Sequence, residues 1–159
     1  MSDLLFEKNI TCAVTGHRIL QKDFSINLLK TVINNLIDRN FTTFLVGMAL
    51  GFDTICFQVL EEIRKEKNIK IVACVPCPEQ DDRFSEAQKK EYERMISSAD
   101  DVIIISPKYT PTCMKKRNEF MVKNATALVA YVRRKESGSY QTLKFAKEKK
   151  LMEIGRAHV

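Results

Sequence analysis

No apolar run in these 159 residues approaches the ~20 needed to cross a bilayer as a helix. The start, with Asp3 and Glu7 around a short Leu4-Leu5-Phe6, has neither the charge nor the length of a secretory signal. A cytoplasmic protein with no membrane partner is therefore expected. Internal repeats and low-complexity tracts are absent, which sets aside solenoid arrays and structureless tails. The cysteines number five, an odd count, and Cys12, Cys56 and Cys113 fall at positions that read as core or element ends, so a secreted disulfide framework is not expected. Cys74 and Cys77 form a Cys-x-x-Cys, but Pro76 and Pro78 interrupt it and no second pair exists to complete a four-ligand zinc site. Neither a metal nor redox chemistry is expected there.

Length and an apolar share of 45% fit one domain with a core of its own. Against 20 acidic residues stand 26 lysines and arginines, a net charge of +6 that suits nucleic acid or phosphorylated ligands. Much of the excess lies late, in Arg133-Arg134-Lys135 and from Lys147 to Lys150, and reads as solvated helix faces. The loop aromatics do not interleave with a basic stripe as stacking platforms do. Nucleic acid is accordingly set aside as a partner, and a homo-oligomer is left open.

What is present is an alternation of apolar runs and helical periodicities. Asn9 to Thr15 reads as a buried strand that runs into Gly16-His17-Arg18. Ser25 caps a helix to about Arg39, with Leu29, Val32, Ile33, Leu36 and Ile37 on one face, and Asn40 stops it. Thr42 to Val46, Lys70 to Val75, Asp101 to Ser106 and Ala127 to Tyr131 read as further strands. Helices are expected between them from about Thr54 to Lys67, Asp82 to Ser98 and Cys113 to Asn124, and a last one runs to about Lys150. Such an order with short loops predicts an α/β, doubly wound, mostly parallel sheet with helices on both faces, and ligands beyond the carboxyl ends of its strands. Ile154 to Val159 fit nothing before them and match the translation of a common sequencing-adapter read. The expected domain is 1–152, with 153–159 a non-native tail and the natural chain continuing into another apolar strand.

The chain is organised around the stretch from Phe44 to Asp53, which reads as strand, tight loop and helix start. Backbone N–H groups from Leu50 to Thr54, together with the helix dipole, make an anion site there, with phosphate the expected guest. The loop is neither Gly-x-Gly-x-x-Gly nor the lysine-bearing triphosphate loop. Gly47 and Gly51 permit close backbone approach, with Met48, Ala49 and Leu50 between them. Gly16 opens the loop that carries His17 and Arg18; Arg18 offers a planar, permanently charged fork, and His17 either contacts a ribose or base or packs locally. Asp53 reads first as a helix N-cap and second as a contact to a ribose hydroxyl. Arg117 and Asn118 either hold a sugar or phosphate or tie down the fourth loop, which carries Pro107 and Tyr109; Tyr109 stacks on a base or closes the core. Gly138, Ser139 and Thr142 form another small-residue loop at a helix amino end.

With those loops placed, the chain from Cys12 to about Met152 resembles the YpsA-like branch of the SLOG superfamily, the Rossmann-like group that also holds the DNA-processing DprA proteins and the LOG phosphoribohydrolases. The residues that carry the resemblance are Thr15-Gly16-His17-Arg18, the loop from Gly47 to Asp53, Pro76-Cys77-Pro78, Ser106-Pro107-Lys108-Tyr109-Thr110, Met114 to Val122, and Gly138-Ser139-Tyr140-Gln141-Thr142. The resemblance implies a SLOG-type Rossmann-like fold and a pocket for a small nucleotide-type ligand related to NAD or ADP-ribose, in a sensor or regulatory module with no further cofactor. Two alternatives stay open. A LOG-like phosphoribohydrolase acting on nucleoside monophosphates needs a carboxylate beside the sugar, for which Asp53 and Glu119 are the candidates. The Pro-Gly-Gly-x-Gly-Thr loop by which those enzymes are recognised is replaced here by Glu136-Ser137-Gly138-Ser139-Tyr140-Gln141-Thr142. Single-stranded DNA binding, by analogy with the DNA-processing proteins, is the other.

Overall fold

Six parallel strands form one sheet in the order β4-β3-β2-β1-β5-β6. They are β1 (Thr11–Gly16), β2 (Thr43–Val46), β3 (Lys70–Val75), β4 (Asp101–Ile104), β5 (Ala127–Tyr131) and β6 (Met152–Ile154). Between them run α1 (Ile26–Asp38), α2 (Phe52–Arg64), α3 (Glu86–Ser98), α4 (Cys113–Lys123) and α5 (Gly138–Glu148). The structure is a computed structural model that describes residues 6–132, 138–148 and 152–154. Expectations about 133–137 and about the tail beyond 154 lie outside these residues.

Strand alternation separates two apolar layers. Cys12, Phe44, Ile71 and Val129 point to the face covered by α1, α2 and α3, where Leu29, Ile33, Phe57, Leu60 and Met95 meet them. Ala13, Leu45, Val72 and Leu128, which stand beside one another in register, point to the opposite face, where Met121, Val122, Leu143 and Ala146 of α4 and α5 cover them. This is the doubly wound sheet expected from the sequence. The strand order reverses between β1 and β5, so the loops at the carboxyl ends of these strands part and leave a crevice.

Local chemistry sets the element ends. Ser25 Oγ accepts the Leu28 N–H at 3.0 Å, and Asn40 closes α1 with φ 75, a left-handed turn that asparagine tolerates. Expected from Asp82, α3 instead starts after Ser85, because Ser85 and Gln88 form a reciprocal capping box there. Replacing Ser85 with alanine should cost ~1 kcal/mol in urea denaturation, since one orphan N–H is left without its acceptor.

Two expectations need correction. The N-cap of α2 is Gly51, not Asp53, whose carboxylate lies inside the first turn and reaches back to the preceding loop. Glu153 and Ile154, expected in the tail, stand in β6 opposite Leu128 and Val129, because a parallel edge strand needs only backbone pairing to one neighbour. Among the described residues no helix is long and apolar enough to cross a membrane.

Candidate functional site

The crevice opens as a cavity of about 390 Å3 beyond the carboxyl ends of β1 and β2. Of the residues expected to form a site, it brings together Gly16, His17 and Arg18, then Gly47, Ala49, Leu50 and Asp53, then Arg117 and Asn118 from α4. The floor is built by three loops that hold one another. Phe52 N–H donates to the His17 carbonyl at 3.1 Å, which docks the β1–α1 loop on the start of α2. Asp53 Oδ2 accepts the Ala49 N–H at 3.1 Å and Thr54 Oγ1 donates to the Ala49 carbonyl at 3.2 Å, so the first turn of α2 folds its own leading loop inward.

Gly47 is a glycine for a steric reason. A Cβ there would lie 2.9 Å from Arg117 Nη1 and 3.1 Å from Asp53 Oδ2, so only a bare Cα lets the guanidinium and the carboxylate converge. The Gly47 carbonyl accepts from Arg117 Nη1 and, at 3.0 Å, from Gln80 Nε2. Tyr92 donates its hydroxyl proton to Gln80 Oε1 at 3.0 Å, and Arg117 Nε donates to Asn118 Oδ1 at 2.7 Å. The sequence offered Gln80 no role, although it follows the Pro76-Cys77-Pro78 loop; a lone glutamine carries no spacing signal, and only the fold brings it under Gly47. Arg117 and Asn118 thus take both of the roles considered for them, tying loops together and facing the cavity.

The N–H groups of Leu50, Gly51, Asp53 and Thr54 have no hydrogen-bond acceptor among the described residues, whereas that of Phe52 is committed to His17. With the α2 dipole behind them they leave a concentrated positive potential at the cavity floor. Arg18 is exposed at the mouth. His17 is buried at 4% exposure, its ring edge-on to Tyr131 at 5.8 Å, so it packs locally while lining the cavity.

Asp53 is 5% exposed, and its Oδ1 has no hydrogen-bond partner among the described residues. Burial pushes its carboxyl up from the ordinary 3.8 to about 6, against the opposing pull of Arg117 and of the Ala49 N–H. Burial likewise pushes Arg117 down, although a guanidinium keeps its charge at any ordinary pH. Cys56 and Cys74 also feel Asp53 and are pushed up by burial, so they stay thiols. For Asp53 the folded state holds the proton more tightly than the unfolded state. Stability from this group is therefore full below the ordinary 3.8, falls as pH rises from there through about 6, and stays low above it. Asp53→Asn should flatten that slope and leave the variant at least as stable as the parent at neutral pH, with a gain of up to ~2.7 kcal/mol for two pKa units. Urea denaturation at several pH values checks this, and an unchanged slope would show that Asp53 does not cause it.

The other expected site residues lie elsewhere. Met48, at φ 66 and 1% exposure, turns inward under the loop. Gly51 carries φ 82, and a Cβ on it would meet the Arg18 carbonyl oxygen at 2.0 Å, so its bareness serves the docking of the β1–α1 loop. Pro107 and Tyr109 are exposed on the β4–α4 loop, where the Tyr109 N–H donates to Glu79 Oε1 at 2.8 Å; neither lines the cavity. Thr142 is buried and faces a groove between α4 and α5, which Glu119 also lines. Gly138 and Ser139 open α5, and their surroundings lie outside the described residues.

A model of the YspA SLOG family matches residues 13–155. The prophage-derived protein YoqJ of Bacillus subtilis strain 168 is 33% identical over 136 residues, 76% of this chain and 78% of that one. A UPF0398 protein of Bacillus cereus is 28% identical over 144 residues, 80% and 76% of the two chains. Among solved structures, DNA processing protein A of Streptococcus pneumoniae superposes with a TM-score of 0.67 at 21% identity, over 95% of this chain and 50% of that one. The Helicobacter pylori protein of the same name, described as having a unique single-stranded DNA binding mode, superposes with a TM-score of 0.65 at 15% identity, over 92% and 64%. This chain thus spans about half of the one and under two thirds of the other. These neighbours overturn the expectation that set nucleic acid aside as a partner. That exclusion rested on a missing stripe of interleaved aromatic and basic residues, which tests for base-stacking platforms. A site of backbone N–H groups and an arginine takes a phosphate whether it is free or part of a strand.

Proposed function

The chain belongs to the YspA SLOG family, and from that premise we propose that the cavity holds a nucleotide unit by its phosphate, as a binding or regulatory module. The observation that carries this reading is the set of uncommitted N–H groups at Leu50, Gly51, Asp53 and Thr54, at the amino end of a 13-residue helix that opens on the cavity. Arg18 supplies the mobile countercharge at the mouth. A volume of about 390 Å3 lies in the range of small-ligand sites. Ile19, Phe84 and Met114 add apolar lining on the side away from Asp53 and offer the base a dry wall.

ADP-ribose at about a hundred times its dissociation constant should stabilise the fold by ~2.7 kcal/mol, read as a rise in Tm. Adenosine, which has no phosphate, should give a much smaller rise. Arg18→Ala, at an exposed position, should leave the unliganded Tm unchanged and weaken binding by ~1.5–3 kcal/mol through loss of a charged hydrogen bond. Equal shifts with ADP-ribose and adenosine would count against the phosphate reading. Incubation with adenosine monophosphate and assay for free base tests the hydrolase alternative, for which Asp53 is the carboxylate on this cavity.

A second reading, that the phosphate belongs to single-stranded DNA, is favoured by the Helicobacter pylori neighbour and by the net charge of +6. It predicts a mobility shift of an oligodeoxynucleotide that weakens steeply with salt and is competed by ADP-ribose. Binding that ADP-ribose does not displace would place the strand elsewhere on the surface.

A further inference from the structure

Phosphate binding by N–H groups and Arg18 leaves one group of the cavity unused, the Asp53 carboxylate. Its Oδ2 is fixed by the Ala49 N–H, and its Oδ1 lines the cavity without a partner in a residue only 5% exposed. A buried, anionic acceptor with free lone pairs is completed by a ligand that donates. The geometry limits what that donor is. Asp53 sits in the same helical turn whose N–H groups face the phosphate, so the group it meets is the one bonded next to the phosphate. In a nucleotide that group is the sugar, with the base a sugar's width further on. A second phosphate there would set anion against anion, with Arg117 already held by the Gly47 carbonyl and Asn118.

Resting on the phosphate reading above, we propose that Asp53 Oδ1 accepts a hydrogen bond from a sugar hydroxyl of the bound nucleotide, so that the site selects units with a free hydroxyl at the 2′ or 3′ position. Bare Gly47 is what makes this possible, because it admits Arg117 close enough to hold the carboxylate charged beside a phosphate. A free ribonucleotide and the 3′ end of a single strand share this chemistry.

The test is titration calorimetry on the intact chain with adenosine monophosphate and its 2′-deoxy, 3′-deoxy and 2′,3′-dideoxy forms, and with an oligodeoxynucleotide that ends in a 3′-hydroxyl or in a dideoxy unit. The dideoxy forms should bind about tenfold to a hundredfold more weakly, the loss of one charged hydrogen bond. Whichever single deoxygenation reproduces the loss names the hydroxyl, and whether the loss appears with the mononucleotide or with the strand end names its source. In Asp53→Ala the discrimination should collapse; should that variant not fold, the ligand series on the parent decides alone. Equal affinity for adenosine monophosphate and its dideoxy form, with no discrimination at the strand end, overturns the hydroxyl role. The phosphate reading survives that result as long as adenosine binds more weakly than its monophosphate. If adenosine binds as well as the monophosphate, the phosphate reading falls and the hydroxyl role with it.

Discussion

Gly51→Val is expected to destabilise the chain by ~2–5 kcal/mol, a large fraction of the ~5–15 kcal/mol that holds a domain together. Two costs combine. A backbone at φ 82 is strained for a residue with a Cβ, by ~1–2 kcal/mol, and more for a β-branched one. The new Cβ would also lie 2.0 Å from the Arg18 carbonyl oxygen and 2.4 Å from its carbon. These are backbone atoms that cannot swing aside, so the β1–α1 loop must lift off α2, with an overpacking cost of ~1–3 kcal/mol. Phe52 N–H then loses the His17 carbonyl as well. Gly51→Ala should show the same defect at smaller size. Urea denaturation of both against the parent decides, and midpoints equal to the parent's would mean that the loop does not rest on Gly51.

Arg117→Met should cost ~3 kcal/mol or more at pH 7.5, because it removes the cation facing a buried carboxylate and one of the donors to the Gly47 carbonyl. The size should depend on pH. Without Arg117 the Asp53 carboxyl moves further up, so the deficit is smallest in acid, where Asp53 is neutral in either protein, and grows as pH rises past about 6. Adding Asp53→Asn should return part of the loss, with a coupling of ~1–3 kcal/mol in the double-mutant cycle. Additive effects in that cycle would show that the two side chains do not act on one another across Gly47.

The fold was legible because its signals are local and repeated. Buried parallel strands read as unbroken apolar runs such as Phe44-Leu45-Val46, Ser25 caps in sequence as it does in space, and Asn40 marks the stop of α1. The candidate site was legible in part. Gly16, His17, Arg18, the loop from Gly47 to Leu50 except Met48, Asp53, Arg117 and Asn118 do meet at one cavity, since strand-to-helix loops of a parallel sheet gather at one edge. What the sequence could not carry was the reason for each residue. Gly47 and Gly51 looked alike, yet one is bare for Arg117 and Asp53 and the other for the backbone of Arg18. Asp53 stood where an N-cap stands, but the cap position is one set by φ, and Gly51 holds it. Tyr109 and Thr142 follow loops of the right kind, yet a loop's direction away from the sheet edge is decided by contacts such as that of the Tyr109 N–H with Glu79, which are not local in sequence.

Amide chemical shifts during a titration with adenosine monophosphate test the central claim most directly. With a phosphate at the amino end of α2, the backbone N–H resonances of Leu50, Gly51, Asp53 and Thr54 should move first and furthest, while that of Phe52, already bonded to the His17 carbonyl, moves little. Saturable shifts confined to the groove between α4 and α5, with the α2 amides unmoved, would contradict it.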